Sequence, residues 1–207
     1  MYFKSVIVVS VVTVFSLLLG VSVILAEQQP SNAQSSTLKT YNDVQGRFVV
    51  QYPSAWEIAP KNSTFPYYGA ATAIVFKPTD ETASPLENTL FSITPMDRAK
   101  SLDRTTLTVT PDSLDKTVAD QIALLQDPSS MYGSLNVEIL KNNATTVNSL
   151  PAKELTYVIH GIGSFEMQTY VIKNGELYQL IFQTPESKVP YTLPAAQLMI
   201  KTLKFLS

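Results

Sequence analysis

The stretch QTYVIKNGELYQLIFQ, residues 168–183, carries the strongest local folding signal in this 207-residue chain. Its centre is Asn174-Gly175, which suits a type I′ turn because both central residues of that turn need positive φ. On both sides of the pair the sequence is rich in the branched and aromatic side chains that favour strands. The stretch therefore predicts a β-hairpin with strands over Gln168–Lys173 and Glu176–Gln183.

Further strands are predicted on the N-terminal side of the hairpin. Short apolar or alternating runs indicate them at Phe48–Tyr52, Ala73–Lys77, Leu90–Thr94, Val137–Leu140 and Ala152–His160. The first three are expected to stop at Pro53, Pro78 and Pro95, because proline has no amide donor for a strand ladder. Trp56, together with Ile58, is expected to fill the core beneath the first strand.

Two helices are predicted, one in the middle of the chain and one near its end. Thr110-Pro111 suits a helix N-cap followed by a proline in the first turn. Apolar residues then recur on one helical face up to the helix end before Pro128, at Leu114, Val118, Ile122 and Leu125.

The second helix is expected from about Leu193 to Thr202, with Pro194 in its first turn. Its inward residues and the chain end that closes against the sheet are Leu198, Met199, Leu203, Phe205 and Leu206. The order of elements predicts an α+β fold, an α-β-α arrangement with a mainly antiparallel sheet flanked by helices.

The N-terminus carries an uncharged run of about 22 residues, Ser5–Ala26, against about 20 needed to span a bilayer. Lys4 precedes the run and Glu27 follows it, which favours an N-terminus inside and a C-terminal domain outside. We expect a signal-anchor over residues 1–26, a polar tether over 27–40 and a folded domain over 41–207. Cleavage after Ala26 or Ala33 is the alternative, and the protein would then be secreted.

Composition excludes several classes of function. The formal net charge is −2, so the concentrated basic surface that nucleic acids require is missing. The chain has no cysteine, which excludes disulfides, thiolate metal sites and cysteine nucleophiles.

Several elements together resemble PsbP-like domains. The opening Tyr41-Asn42-Asp43 and the segment GRFVVQYPSAWE, residues 46–57, resemble the start of that family's first strand and its Tyr-Pro-x-x-Trp element. Leu150–Leu155, the Asn-Gly hairpin and the ending IKTLKF, residues 200–205, fit as well. The resemblance implies an α-β-α sandwich shared with the extrinsic PsbP subunit of photosystem II and the Mog-type Ran-binding proteins, and a role in docking on partners. The anchor and tether depart from the photosynthetic members.

Candidate metal ligands are few. His160 is the single histidine, and it would need carboxylates to complete a metal site. A solvated loop with Asp80, Glu81 and Glu87 offers oxygen ligands for calcium, although it lacks the EF-hand pattern. Gly161-x-Gly163 lacks the third glycine and the following helix of a dinucleotide fingerprint, so we interpret it as a strand connection.

Two stretches are candidates for partner contact. Aromatic residues in a Pro- and Gly-containing loop form the first, and alternating charges form the second: Phe65, Tyr67 and Tyr68, then Asp97, Arg98, Lys100, Asp103 and Arg104. A loop folded onto the core and a solvated connection are the alternatives. Asn62 and Asn143 begin Asn-x-Thr sequons and are glycosylation candidates.

No multi-residue catalytic constellation is visible, so we expect neither enzyme activity nor a cofactor. The expected function is a membrane-tethered extracytoplasmic binding or assembly module with a protein partner at or near the same membrane. The alternative is an extracytoplasmic domain that binds a small ligand or a divalent cation.

Overall fold

Antiparallel strands dominate the protein, whose computed structural model describes residues 37–60, 72–80, 88–96 and 112–206. The strands are β1 (Leu38–Asn42), β2 (Phe48–Pro53), β3 (Trp56–Ile58), β4 (Ile74–Pro78), β5 (Leu90–Met96), β6 (Val137–Val147), β7 (Leu150–Ile159), β8 (Ser164–Lys173), β9 (Glu176–Pro185) and β10 (Lys204–Phe205). Within the described residues they form a seven-stranded sheet in the order β3-β4-β5-β9-β8-β7-β6 and a three-stranded sheet in the order β1-β2-β10. The helices are α1 (Asp112–Gln126) and α2 (Val189–Thr202).

The predicted Asn-Gly hairpin is confirmed, and it joins two central strands of the larger sheet. Asn174 and Gly175 have φ of 52° and 79°, as a type I′ turn requires. The ladder runs from Lys173 opposite Glu176 to Ser164 opposite Pro185. The hairpin is longer than predicted. The turn fixes the register, and both strands continue to pair in it beyond the predicted ends.

The two helices contact opposite faces of the larger sheet. Helix α1 buries Leu114, Val118 and Leu125 in a cluster with Leu155 and Tyr157 of β7, which confirms the predicted apolar stripe. Residues of β7 at the alternate positions belong to the second cluster, which contains residues of α2 and of the smaller sheet. Since side chains alternate along a strand, the two clusters lie on the two sides of the sheet.

Trp56 is 5% exposed and packs in the cluster on the α2 side, as predicted. Ile58 was expected to join it but is 40% exposed. Both residues lie on β3, the edge strand beside β4, and a polar residue separates them. Strand β3 has three residues and pairs with β4 on one side, so it buries Trp56 but leaves Ile58 partly exposed.

Further boundaries also differ from the predictions. Strand β5 continues through Pro95 to Met96, because its pairing with β4 ends at Ile93 and only β9 accompanies it further. Strand β6 continues to Val147, because an exposed edge strand accepts the polar residues that suggested a loop. Leu38–Thr40, expected in the tether, already belong to β1.

The C-terminal helix starts earlier than predicted. It begins at Val189 with Pro190 in its first turn, so Pro194 lies inside the helix instead of in the first turn. Met199 and Leu203 are buried as predicted, whereas Leu198 is half-buried and Leu206 is 42% exposed. The main-chain N–H of Leu206 donates to Arg47, and Phe205 closes the chain against β2.

The predicted anchor over 1–26, most of the tether and the cap Thr110-Pro111 lie outside the described residues. Among the helices that are described, none has the length and apolar character to cross a bilayer.

Candidate functional site

A groove of about 410 Å³ opens on the α2 side of the larger sheet. It lies between helix α2 and the turn that joins β6 to β7. Its lining residues come from four elements and the β6–β7 turn: Thr146, Asn148, Ser149, Glu154, Met167, Gln197, Ile200 and Lys201. The mixture of amide, hydroxyl, charged and apolar side chains allows both hydrogen bonding and apolar contact.

The groove exists because α2 covers only part of the sheet. Helix α2 contacts β2 and β9, while β8, β7 and β6 continue beyond it in the sheet order. Met167 of β8, which is 5% exposed, and half-buried Ile200 of α2 form the apolar part of the lining, and exposed polar side chains accompany them. A segment of a partner could bury apolar surface here and still satisfy its polar groups at the rim.

The turn beside the groove holds two non-glycine residues in a left-handed conformation. Asn148 and Ser149 have φ of 49° and 63°, and both line the groove. Asparagine tolerates this region, but a serine there costs about 1–2 kcal/mol relative to the right-handed region. The other two-residue hairpin of the sheet uses Gly175 at the equivalent place. Backbone strain of this kind often marks a functional site.

Of the two charged residues that line the groove, one has an ion-pair partner and the other has none among the described residues. Glu154 forms an ion pair with Lys141 on the neighbouring strand, with 2.7 Å between Glu154 Oε1 and Lys141 Nζ. Lys201 is exposed and has no ion-pair partner among the residues that the structure describes. The groove therefore offers a cation whose charge an incoming anionic group could neutralise.

His160 does not end a strand as predicted but begins a 3-10 turn, His160–Ile162. Its Nε2 lies 2.9 Å from Glu138 Oε2, and its Nδ1 lies 3.7 Å from Glu186 Oε1. The two carboxylates thus approach opposite nitrogens of one ring. In this geometry they do not converge on a single ion position.

The two described metal candidates lie at distant strands. Asp80 follows β4 and His160 follows β7, which are four strand spacings apart in the sheet order. At about 4.8 Å per spacing this is roughly 19 Å, too far for one ion. Glu81 and Glu87 lie outside the described residues. Across the described ranges, no group of three or more His, Asp or Glu side chains is arranged to hold a metal.

Backbone conformation and a close contact explain the two glycines after His160. Gly163 ends the 3-10 turn with φ of 60°. A Cβ on Gly161 would lie 2.9 Å from the carbonyl oxygen of Leu135. Both positions thus serve the chain connection, as we interpreted them from the sequence.

A partly buried polar network beneath α1 was not predicted. Tyr157 donates to Glu166, and Gln168 donates to Tyr157 at 2.7 Å and to Glu166 at 3.1 Å. Tyr170 donates to Gln168, and Gln179 donates to Tyr170 at 3.1 Å. Alternation along β8 contained the signal, because Glu166, Gln168 and Tyr170 are every second residue.

Burial changes the acid–base properties of this network. It raises the pKa of Glu166, although hydrogen bonds from Tyr157 and Gln168 partly oppose it. Burial, aided by the nearby Glu166 carboxyl, also raises the pKa of Tyr157 and of Tyr170. The folded state therefore disfavours the ionised form of all three groups.

An ion pair joins Asp43 and Arg47 across the loop between β1 and β2. The Asp43 carboxylate accepts hydrogen bonds from Arg47 Nε at 2.7 Å, Nη2 at 3.0 Å and main-chain N–H at 3.2 Å. Its side chain is 0% exposed and that of Arg47 is 21% exposed. Burial alone would raise the pKa of Asp43, but the hydrogen bonds and charge of Arg47 together lower it.

The predicted contact stretches fall outside the part of the chain that the structure describes. These residues are Phe65, Tyr67, Tyr68, Asp97, Arg98, Lys100, Asp103 and Arg104, and the sequon residue Asn62 also lies outside the described residues. Asn143 is exposed on β6, opposite Glu154. The described residues that line the groove come together only through the packing of α2 on the sheet.

Comparison with known proteins gives a family and a fold. A family model described as PsbP matches residues 36–205. The chain is similar to the solution structure of cyanobacterial PsbP, CyanoP, from Synechocystis sp. PCC 6803, with 15% identity, a TM-score of 0.55, and coverage of 83% of this chain and 94% of that chain. It is also similar to LpqN of Mycobacterium tuberculosis, described as involved in cell envelope biogenesis, with 12% identity, a TM-score of 0.46, and coverage of 85% and 88%. No curated protein matches.

At 15% identity the likeness to CyanoP shows the fold alone. The match to the family model is stronger evidence of family membership, because it spans the chain from just before β1 to the last residue of β10. The opening residues, the hairpin and the C-terminal segment that resembled the family all lie within the match. The chain belongs to the PsbP family.

Proposed function

We propose that this protein is a membrane-tethered extracytoplasmic binding module without catalytic activity, whose partner docks in the groove beside α2. In this proposal the folded domain is an α-β-α sandwich preceded by an N-terminal transmembrane or signal helix. The groove is the observation that carries the proposal. It combines apolar contact surface, polar side chains and a cation that lacks a counter-ion among the described residues.

The N-terminal sequence supports the location. The uncharged run Ser5–Ala26 is long enough to span a bilayer, and the flanking charges favour a C-terminal domain outside. If the run remains uncleaved, the partner lies on or near the same membrane. N-terminal sequencing of the native protein distinguishes an anchor, which keeps Met1 or the next residue, from a mature start after Ala26 or Ala33.

The surroundings of His160 support the non-catalytic part of the proposal. Its two ring nitrogens face carboxylates, Glu138 and Glu186, and all three side chains are at least 40% exposed. A histidine that activates a nucleophile needs a hydroxyl or thiol within hydrogen-bond reach. Turnover of a substrate by the purified protein, abolished by His160→Gln, would overturn the non-catalytic part of the proposal.

Site-specific photo-crosslinking in the full-length protein, in its native membrane, tests the docking site. Gln197 lines the groove and is exposed, so a photo-crosslinking residue there should capture a protein partner. Tyr191 is the matched control, because it lies on the same helix, is 83% exposed and does not line the groove. Equal labelling from both positions, or labelling from Tyr191 alone, would contradict a partner in the groove.

A small ligand is the second candidate, and the groove volume favours it. A volume of about 410 Å³ falls within the roughly 300–1,000 Å³ typical of small-molecule sites. A ligand that binds the native state must raise its stability. A thermal-shift screen of small anionic molecules, run in parallel on the wild-type protein and on Lys201→Gln, therefore tests it. A rise in Tm that the variant retains would place the ligand outside the groove.

A further inference from the structure

Strand β6 is an edge of the seven-stranded sheet, and its two halves are protected differently. In the half Val137–Lys141 the edge carries two charges and a bulge at Leu140, where the register with β7 shifts. Charges and bulges are the devices by which proteins prevent unwanted strand pairing. The half Asn142–Val147 has neither, and contains no proline. Asn142, Asn143, Ala144 and Thr146 are exposed there.

The unprotected half presents a regular row of main-chain groups. Val147 and Leu150 flank the two-residue turn and lie directly opposite each other. Such a pair exchanges its main-chain hydrogen bonds, and bonded and non-bonded pairs alternate along an antiparallel ladder. The N–H and C=O groups of Asn142, Ala144 and Thr146 therefore point away from β7. No other described strand pairs with this edge.

This edge is continuous with the groove. Thr146 belongs to both, and the turn residues Asn148 and Ser149 that follow it line the groove. Asn143 lies opposite Glu154, another lining residue, so their side chains share one face of the sheet. A strand added beside Asn142–Val147 would place every second side chain on that face, towards the groove.

We propose that the partner contributes an extended segment that pairs with Asn142–Val147 as an additional strand and places a carboxylate side chain near Lys201. The inference rests on the proposed function and specifies its partner. In strand addition, main-chain hydrogen bonds supply affinity, and sites for alternate side chains supply specificity. Here the groove is that site, and Lys201 selects an acidic residue.

Charge complementarity argues for a different protein and against a second copy of this chain. In a symmetric dimer the added strand would be Asn142–Val147 itself, which has no acidic residue. Lys201 would then keep its charge without a counter-ion. An acidic segment from another protein satisfies both the main-chain groups and the lysine.

A photo-crosslinking residue at Asn143 in the full-length protein, in its native membrane, tests the inference. Mass spectrometry of the cross-linked product should find a peptide of another protein with an Asp or Glu within about two residues of the linked position, since alternate residues share a face. A product with this chain's own peptide, or with a partner peptide that lacks an acid, would overturn the inference.

Ala144→Pro separates strand addition from other modes of docking. Proline removes the outward N–H of Ala144, and in an edge strand it spares the inner ladder. The cross-link yield from Asn143 should fall about tenfold or more, because one main-chain hydrogen bond is lost and the ring obstructs its neighbours. Ala144→Val keeps the N–H and should leave the yield unchanged. Undiminished yield in the proline variant would overturn the inference.

Further variants keep the test valid if the proline prevents folding. Ala144→Lys introduces a guarding charge, and its side chain lies on the face away from the groove, so it should also abolish the cross-link. Lys201→Gln should reduce the yield about three- to tenfold, as expected for one charge-assisted contact, whereas Lys116→Gln on α1 should not. Continued cross-linking from Gln197 in the Ala144 variants would leave the proposed function intact and refute only strand addition. No cross-link from either position would refute both.

Discussion

Replacing Arg47 by alanine tests whether the Asp43–Arg47 pair stabilises the fold as a buried interaction. The chain offers a matched comparison, because Lys116–Asp120 on α1 is also an ion pair with i,i+4 spacing. The two pairs differ in burial. The Asp43 side chain is 0% exposed, whereas Lys116 and Asp120 are 71% and 53% exposed.

The magnitude follows from that difference. Removing one partner of a buried pair costs about 3–5 kcal/mol, because the other charge remains buried and unpaired. Arg47 is 21% exposed, so water can partly replace it and we expect the lower end, about 3 kcal/mol. Lys116→Ala should cost about 0.5 kcal/mol or less, as exposed helical pairs do.

Urea unfolding of the full-length protein in a mild detergent measures both changes. A loss of about 3 kcal/mol also corresponds to a fall in Tm of roughly 6–12 °C for a domain of this size. Asp43→Asn in the Arg47→Ala background should restore part of the stability, since it removes the buried charge. A free-energy change for Arg47→Ala within about 1 kcal/mol of that for Lys116→Ala would refute the reasoning.

The same pair predicts a pH dependence. Arg47 holds the pKa of Asp43 below its ordinary value in the folded protein. The stabilisation is therefore present above the unfolded pKa of about 3.9 and is lost as pH falls through the lower folded value. The gap between wild type and Arg47→Ala should be constant at neutral pH and should shrink below about pH 4.

Three further perturbations test other parts of the structure. Burial raises the pKa of Glu166, so wild-type stability should fall relative to Glu166→Gln as pH rises above about 4.3; a difference constant from pH 4 to 8 in urea titrations would contradict this. Gly175→Ala should cost about 1–2 kcal/mol at φ of 79°, whereas Ser149→Gly at φ of 63° should stabilise by up to about 1 kcal/mol; opposite signs in thermal unfolding would exclude strain at these turns. Trp56→Ala should cost about 3–5 kcal/mol, and Ile58→Ala, at 40% exposure, less than about 1 kcal/mol; similar losses would show that burial does not separate them.

Elements with a strong local signal were predictable. The Asn174-Gly175 turn, the α1 stripe and the buried Trp56 were confirmed, because backbone preference or hydrophobic spacing acts over a few residues. Strand β6 was predicted too short, because the polar residues after Lys141 look like a loop unless the neighbouring strand is known. Helix α2 was predicted too short because Pro194 looks like a first-turn proline when Pro190 already occupies that position.

The candidate site was less predictable than the fold. Lys201 and Asn148 are about 50 residues apart in sequence, and only the packing of α2 beside the β6–β7 turn brings them into one groove. Likewise, the sequence alone does not show that His160 lies between Glu138 and Glu186. These are contacts between side chains on different elements, which local pattern cannot predict.

The sequence by itself determined the hairpin, the class of fold, the family resemblance and the absence of cysteine chemistry. Each depends on residue type or on spacing within one element. Only the tertiary structure decided which strand of the larger sheet is an edge, where α2 leaves the sheet uncovered, and which charges lack a partner among the described residues. These properties depend on the order of strands in the sheet and on the position of the helix, which arise from long-range packing.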